Sequence, residues 1–181
     1  MANLPYADLS DPTRQPLVAR ITAERGHVLH LYQMLLHSPN LAEGWLTYMT
    51  AVRQRLGLSG ALRELVIMRV ALLNRAPYEA EQHAPFALKE GLTQAQLDAL
   101  PDWPASALFS PLQQAALQLA DTMTREVQVP AELLAQVRGF LGDVQTVELV
   151  ATIAAYNMVS RFLEALQIHS VDERPGPPSA A

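Results

Sequence analysis

The sequence predicts an all-α fold of about seven to eight helices in one domain, and three observations carry that expectation. Apolar residues recur at the three-to-four spacing of an amphipathic helix along most of the chain. Proline and glycine fall between these periodic segments, where helix breakers belong. No run alternates apolar and polar residues for long enough to make a strand.

The elements follow in order. Leu29, Tyr32 and Leu36 share one face of an expected first helix over 16–36. Ser38 as cap, with Pro39 at the first helical position, starts a second over 39–56, closed by Gly57. Ser59 caps a third over 60–74. From Leu65 to Leu73 that helix is apolar all round apart from Arg69, which marks a buried central helix. Pro77 opens a fourth, ended by Gly91. Thr93 and Gln96 form a capping box for a short fifth, ending at Pro101. Residues 102–109 form the one extended connection in the middle of the chain. Ser110-Pro111-Leu112-Gln113 repeats the capping pattern for a sixth helix to Val127. Pro130 opens a seventh, which ends between Gly139 and Gly142, and Asp143 caps a long last helix to Ile168. The expected organisation is an N-terminal extension over 1–15, one helical domain over 16–170 and a flexible, proline-rich tail over 171–181.

Half of the 181 residues are hydrophobic and 17% are charged, a balance that supports a folded core rather than disorder. The formal net charge of -5 and the lack of a basic cluster argue against a nucleic-acid partner. Zero cysteines remove disulfides, thiolate nucleophiles and cysteine-ligated metal sites together. The polar, proline-broken N-terminus does not read as a signal peptide. The most apolar stretch, 147–163, contains Glu148, Asn157 and Arg161, so it reads as a buried helix and no membrane partner is expected. A cytoplasmic location is the default expectation.

Chemistry concentrates near the start of the third and fourth helices. Glu64 shares a face with Met68 and Ala71, so its carboxylate points to apolar surroundings and needs a partner. Arg63 is the nearest one, and a plain dipole-complementing acid is the simpler explanation. Glu79 and His83 stand one helical turn apart, which lets a carboxylate hold an imidazole for acid–base work. The same spacing also serves an ordinary helix-stabilising pair. Tyr78 adds a phenol that can donate to a carbonyl or simply fill the core. Asn157 and Arg161 share a face of the last helix, as a buried network or a substrate contact. Metal has little support: Glu79 and His83 supply two ligands, and His27, His30, His37 and His169 keep no ligand spacing with them. There is no glycine-rich phosphate loop and no Gly-x-Ser-x-Gly elbow.

The run Arg63-Glu64-Leu65-Val66-Ile67, then Asn74, Tyr78-Glu79, His83 and Gly91-Leu92-Thr93, resembles the core motif of the carboxymuconolactone decarboxylase family, which includes the alkylhydroperoxidase AhpD. Glu148-Leu149-Val150, Tyr156-Asn157-Met158 and Arg161 resemble its C-terminal helix. The resemblance covers about residues 41–168. It implies an AhpD-like helical bundle, a homo-oligomer (dimer, trimer or hexamer) and a site on the motif helices. Glu64 matches the family's relay glutamate and His83 its histidine, while the positions of the AhpD cysteine pair fall on Ala76 and Glu79. Neither replacement can act as the thiolate of peroxide reduction. The resemblance therefore implies an acid–base enzyme that needs no cofactor, acting on a small lactone-type substrate by decarboxylation, hydrolysis or isomerisation. His83, Glu79, Glu64 and Tyr78 are its candidate catalytic residues. An anionic substrate would need a cation, with Arg69, Arg75 and Arg161 as candidates beside Asn157. A non-catalytic oligomer that binds a ligand or a protein partner is the alternative.

Overall fold

The computed structural model describes residues 2–170, and the proposed tail over 171–181 lies outside them. Among the described residues there are eight α-helices and one 3-10 helix. They are α1 (Gln15–Arg25), α2 (His30–Leu35), α3 (Pro39–Gln54), α4 (Gly60–Leu73), α5 (Pro77–Lys89), α6 (Gln94–Ala99), α7 (Pro111–Arg125) and α8 (Ala131–Leu166). The chain forms two compact units, Met1–Thr50 with Leu163–Ala181, and Ala51–Phe162.

In the first unit the structure divides what reads in sequence as one helix over 16–36. Gly26 adopts φ 82° and donates its N–H to the Thr22 carbonyl at 2.8 Å, which ends α1. Leu29 is extended and precedes α2. The N-terminal extension is tied down rather than loose. Asn3 N–H donates to the Leu166 carbonyl at 2.9 Å, and His37 Nε2 donates to the Pro5 carbonyl at 2.7 Å. Tyr6 stacks on His30, whose Nδ1 donates to the His169 carbonyl at 2.9 Å. These histidines are thus structural donors to separate backbone carbonyls. Ile21, Tyr32, Leu35, Leu36 and Leu46 form the core of this unit.

In the second unit α4 is the central helix, with Leu65, Val66, Ile67 and Val70 fully buried. It packs along α5 and α7 and against the 3-10 helix. Ser59 caps it by accepting the Leu62 N–H, as the sequence suggests. Asn74, Arg75 and Ala76 turn the chain from α4 into α5, with Arg75 at φ 53°. The capping boxes of α6 and α7 form as read, with Thr93–Gln96 and Ser110–Gln113 satisfying each other's backbone groups. The connection expected to be extended begins instead as a 3-10 helix (Leu100–Ala105). The rings of Pro101 and Pro104 restrict φ to the range of such a short helix and remove the N–H that a longer one would need, and Asp102 between them is kinked at φ -125°. Gly142, at φ 71° and ψ 179°, interrupts α8 where the sequence places the end of one helix and the start of another. By length and composition α8 could cross a membrane, yet Leu149, Ile153 and Tyr156 are buried within the protein.

Candidate functional site

The α4–α5 hairpin brings Glu64 and His83 together. Both are buried, at 2% and 7% exposure, and His83 Nδ1 lies 2.7 Å from Glu64 Oε2. A carboxylate accepts, so Nδ1 carries the proton and donates it. The other carboxylate oxygen of Glu64 accepts from Arg63 Nε at 3.1 Å, and Arg63 also reaches Glu90 at 3.5 Å. Burial alone would raise the Glu64 carboxyl. The hydrogen bond from His83 and the Arg63 guanidinium outweigh it and hold Glu64 below its ordinary range, so it is ionised. Burial lowers His83, and the Arg53 and Arg63 charges lower it further against the opposing pull of Glu64. At neutral pH the imidazole is therefore neutral, with Nδ1 protonated and a lone pair on Nε2. That nitrogen makes no hydrogen bond among the described residues and is not one of the sealed, unpartnered polar atoms. An imidazole oriented by a carboxylate, with its far nitrogen open, can take up a proton from a bound molecule and return it.

Aromatic rings fix the imidazole plane. Tyr156 of α8 meets it edge-on, with centroids 5.0 Å apart at 89°, and Phe86 lies 6.1 Å away. The Tyr156 hydroxyl is buried and has no hydrogen-bond partner among the described residues. Burial pushes its ionisation far above the ordinary phenol value, so it stays protonated and is a donor without an acceptor.

Other expected site residues stand elsewhere. Glu79 and His83 are both on α5 and both buried, but the hydrogen bond of His83 crosses to α4. Glu79 Oε2 accepts from the Ser160 hydroxyl of α8 at 2.6 Å. The position matching a family cysteine is thus held by a serine from the last helix. Tyr78 is buried at the start of α5, at 5% exposure.

The expected substrate cations, Arg69, Arg75 and Arg161, stand in different settings. Arg69 is buried and each guanidinium nitrogen has an acceptor: Nε and Nη2 grip Asp121 at 2.6 and 2.7 Å, and Nη1 donates to the Leu100 carbonyl at 2.7 Å. It braces α4 against α7 and the 3-10 helix through all three of its nitrogens. Arg75 is exposed in the turn after α4. Asn157 accepts from Asn74 at 3.0 Å and donates to Thr124 at 2.9 Å, which links α4, α7 and α8, and exposed Arg161 caps that network by donating to Asn157. Another arginine, Arg53, stands over Phe86, the ring next to the imidazole, and its charge acts on His83. It lies near the end of α3, 5.2 Å above the centre of the Phe86 ring. Sequence reasoning missed Arg53 because a charged residue in the last turn of a helix reads as dipole complement. Tyr156 and Ser160 had a faint signal, two polar tips one turn apart on an apolar helix.

The fold and site define a class: an all-α protein with a buried carboxylate–imidazole pair on a helical hairpin. The chain belongs to the carboxymuconolactone decarboxylase family, whose profile matches residues 39–122. The uncharacterized protein YdfG of Bacillus subtilis (strain 168) is 32% identical over 106 residues, 58% of this chain and 72% of YdfG. Among solved structures, an uncharacterized peroxidase-related protein from Silicibacter sp. TM1040 has a TM-score of 0.80 at 17% identity, covering 96% of this chain and 93% of its own. An uncharacterized peroxidase-related protein from Ralstonia eutropha JMP134, described as an alkylhydroperoxidase AhpD core, reaches 0.79 at 16% identity, covering 94% and 93%. The debrominase Bmp8 in complex with 2,3,4-tribromopyrrole reaches 0.76 at 16% identity, covering 91% and 89%. At such identities these three show a shared AhpD-like fold, and this chain has that fold without any cysteine.

Proposed function

We propose that this protein is an acid–base enzyme whose reaction begins with proton removal by His83 Nε2, on a small lactone-type or similarly enolisable substrate. The observation that supports the reading most is the Glu64–His83 hydrogen bond of 2.7 Å, which fixes the tautomer and leaves Nε2 as the base. Glu64 orients the imidazole and stabilises the imidazolium formed during the step. The same imidazolium then returns the proton: to another carbon in an isomerisation, or, in a lactone hydrolysis where the proton came from a water attacking the carbonyl, to the ring oxygen that leaves as the acyl C–O bond breaks. Tyr156 meets the imidazole edge-on and holds the plane in which Nε2 acts. Glu79, held by Ser160, acts as a wall of the site and not as the partner of His83.

Peroxide reduction through a cysteine pair has no place in this reading, because the chain holds no thiol. The test is a turnover screen over small lactones and lactone acids. It also follows deuterium exchange from solvent into their enolisable positions. The protein is compared with its His83→Gln and Glu64→Gln variants. Equal rates for all three would sink the assignment. A dithiol-dependent peroxide assay should give no rate above background.

A further inference from the structure

We propose that Arg53 is an anion-binding residue that holds a carboxylate of the bound molecule above Phe86 and beside His83. Buried or half-buried charges in folded proteins are paired as a rule, because an unpaired one forfeits its hydration without compensation. Each of the other charges around the imidazole has a partner. Glu64 accepts from His83 and Arg63, Arg63 reaches Glu90, and Glu79 accepts from Ser160. Arg53 is half-buried, yet among the described residues it donates no hydrogen bond and joins no ion pair. Its one specific contact is the Phe86 face, which orients a guanidinium while leaving its donor edges available. Phe86 is itself 44% exposed, so the arginine–phenylalanine stack is reachable from outside. A planar fork of donors over an aromatic ring matches a carboxylate on a flat or short apolar frame.

The position has a second consequence. The charges of Arg53 on α3 and of Arg63 on α4 act on the imidazole, Glu64 of α4 accepts from it, Phe86 of α5 lies between it and Arg53, and Tyr156 of α8 meets it edge-on. The two arginines depress the basicity of His83 and Glu64 raises it. A carboxylate paired with Arg53 cancels one of the depressing charges, so the bound molecule strengthens the base that acts on it. Anion recognition and base strength are coupled through this one guanidinium. The inference takes the Glu64–His83 pair as the reacting centre proposed above, although anion binding at Arg53 can be measured without turnover.

The test uses benzoate and its neutral isostere benzamide as probes, at constant ionic strength, with the full chain labelled for imidazole nitrogen resonances. Benzoate is expected to bind saturably and to raise the titration midpoint of His83, and benzamide to bind about tenfold or more weakly. Arg53→Gln should lose benzoate affinity by about tenfold to a hundredfold and should raise the His83 midpoint in the free protein. Arg53→Lys should recover part of the affinity. Benzoate and benzamide binding alike, benzoate failing to bind, or Arg53→Gln keeping full benzoate affinity would each overturn the proposal. Benzoate binding through Arg53 with no lactone turned over would uphold this inference and remove the enzyme reading. Turnover that needs His83 but ignores Arg53→Gln would do the reverse.

Discussion

Glu64 and Arg69 stand less than two turns apart on α4, both buried at 4% exposure or less, and their surroundings treat them differently. Arg69 meets a bidentate carboxylate and two backbone carbonyls, and Asp121 also receives Arg125 and the indole N–H of Trp103. Each guanidinium nitrogen there has an acceptor, so that end of α4 is a brace. Around Glu64 the pairing stops one step short. The carboxylate is satisfied, but the imidazole it orients keeps an open nitrogen, the adjacent phenol has no acceptor, and Arg53 has no counter-ion among the described residues. A buried polar group without a partner costs about 1–3 kcal/mol. Unmet hydrogen-bonding capacity gathered at one place therefore points to a ligand, whereas a saturated network points to architecture.

Breaking each network should expose the difference. The largest effect is expected on turnover, where His83→Gln should lower the rate by about 100- to 10,000-fold. The equivalent loss at the brace should be in folding: Arg69→Met leaves Asp121 without its main counter-charge and should cost about 3–5 kcal/mol in urea unfolding. The paired change Arg69→Met with Asp121→Leu should recover most of that. A single variant that loses both functions to the same degree would erase the distinction.

Acid should sharpen the contrast. Burial holds His83 below its ordinary 6.5, so the unfolded chain binds more protons than the folded one as pH falls through that value. The contribution is fully present above 6.5 and is lost toward acid. Glu64, held below its ordinary 4.5, adds a loss of the same sign at lower pH. Urea unfolding between about pH 7 and pH 5 should show a falling stability that His83→Gln flattens and Arg69→Met does not. A slope unchanged by His83→Gln would place the titrating group elsewhere. The smallest effect is expected for Tyr156→Phe, which removes a hydroxyl that nothing accepts. Stability should hold or rise by about 1 kcal/mol, and turnover should stay near that of the unchanged protein. A clear loss of stability would show that the phenol is part of the architecture.

Much of this was legible in the chain. Ser59, Thr93, Ser110 and the prolines after helix breaks set the helix starts because capping depends on residues within one turn. The relay pair was half legible. Glu64 read as a carboxylate in need of a partner, and His83 as an imidazole in need of a carboxylate, but the nearest acid in sequence, Glu79, drew the assignment. The hairpin gave His83 to Glu64 and Ser160 to Glu79. Arg69 read as the one polar residue on an apolar helix, which fits both a ligand contact and a buried brace, and only Asp121 decides between them.

The sequence by itself determined the all-α class, most helix boundaries, the family and the absence of thiol chemistry, because these follow from local spacing, capping and composition. The tertiary structure decided which carboxylate holds the imidazole, which arginine is occupied and which is left facing the ring. Those pairings join α3, α4, α5, α7 and α8 across up to about 80 residues of chain, and the energy of a buried charge depends on what folding places against it rather than on its neighbours in sequence.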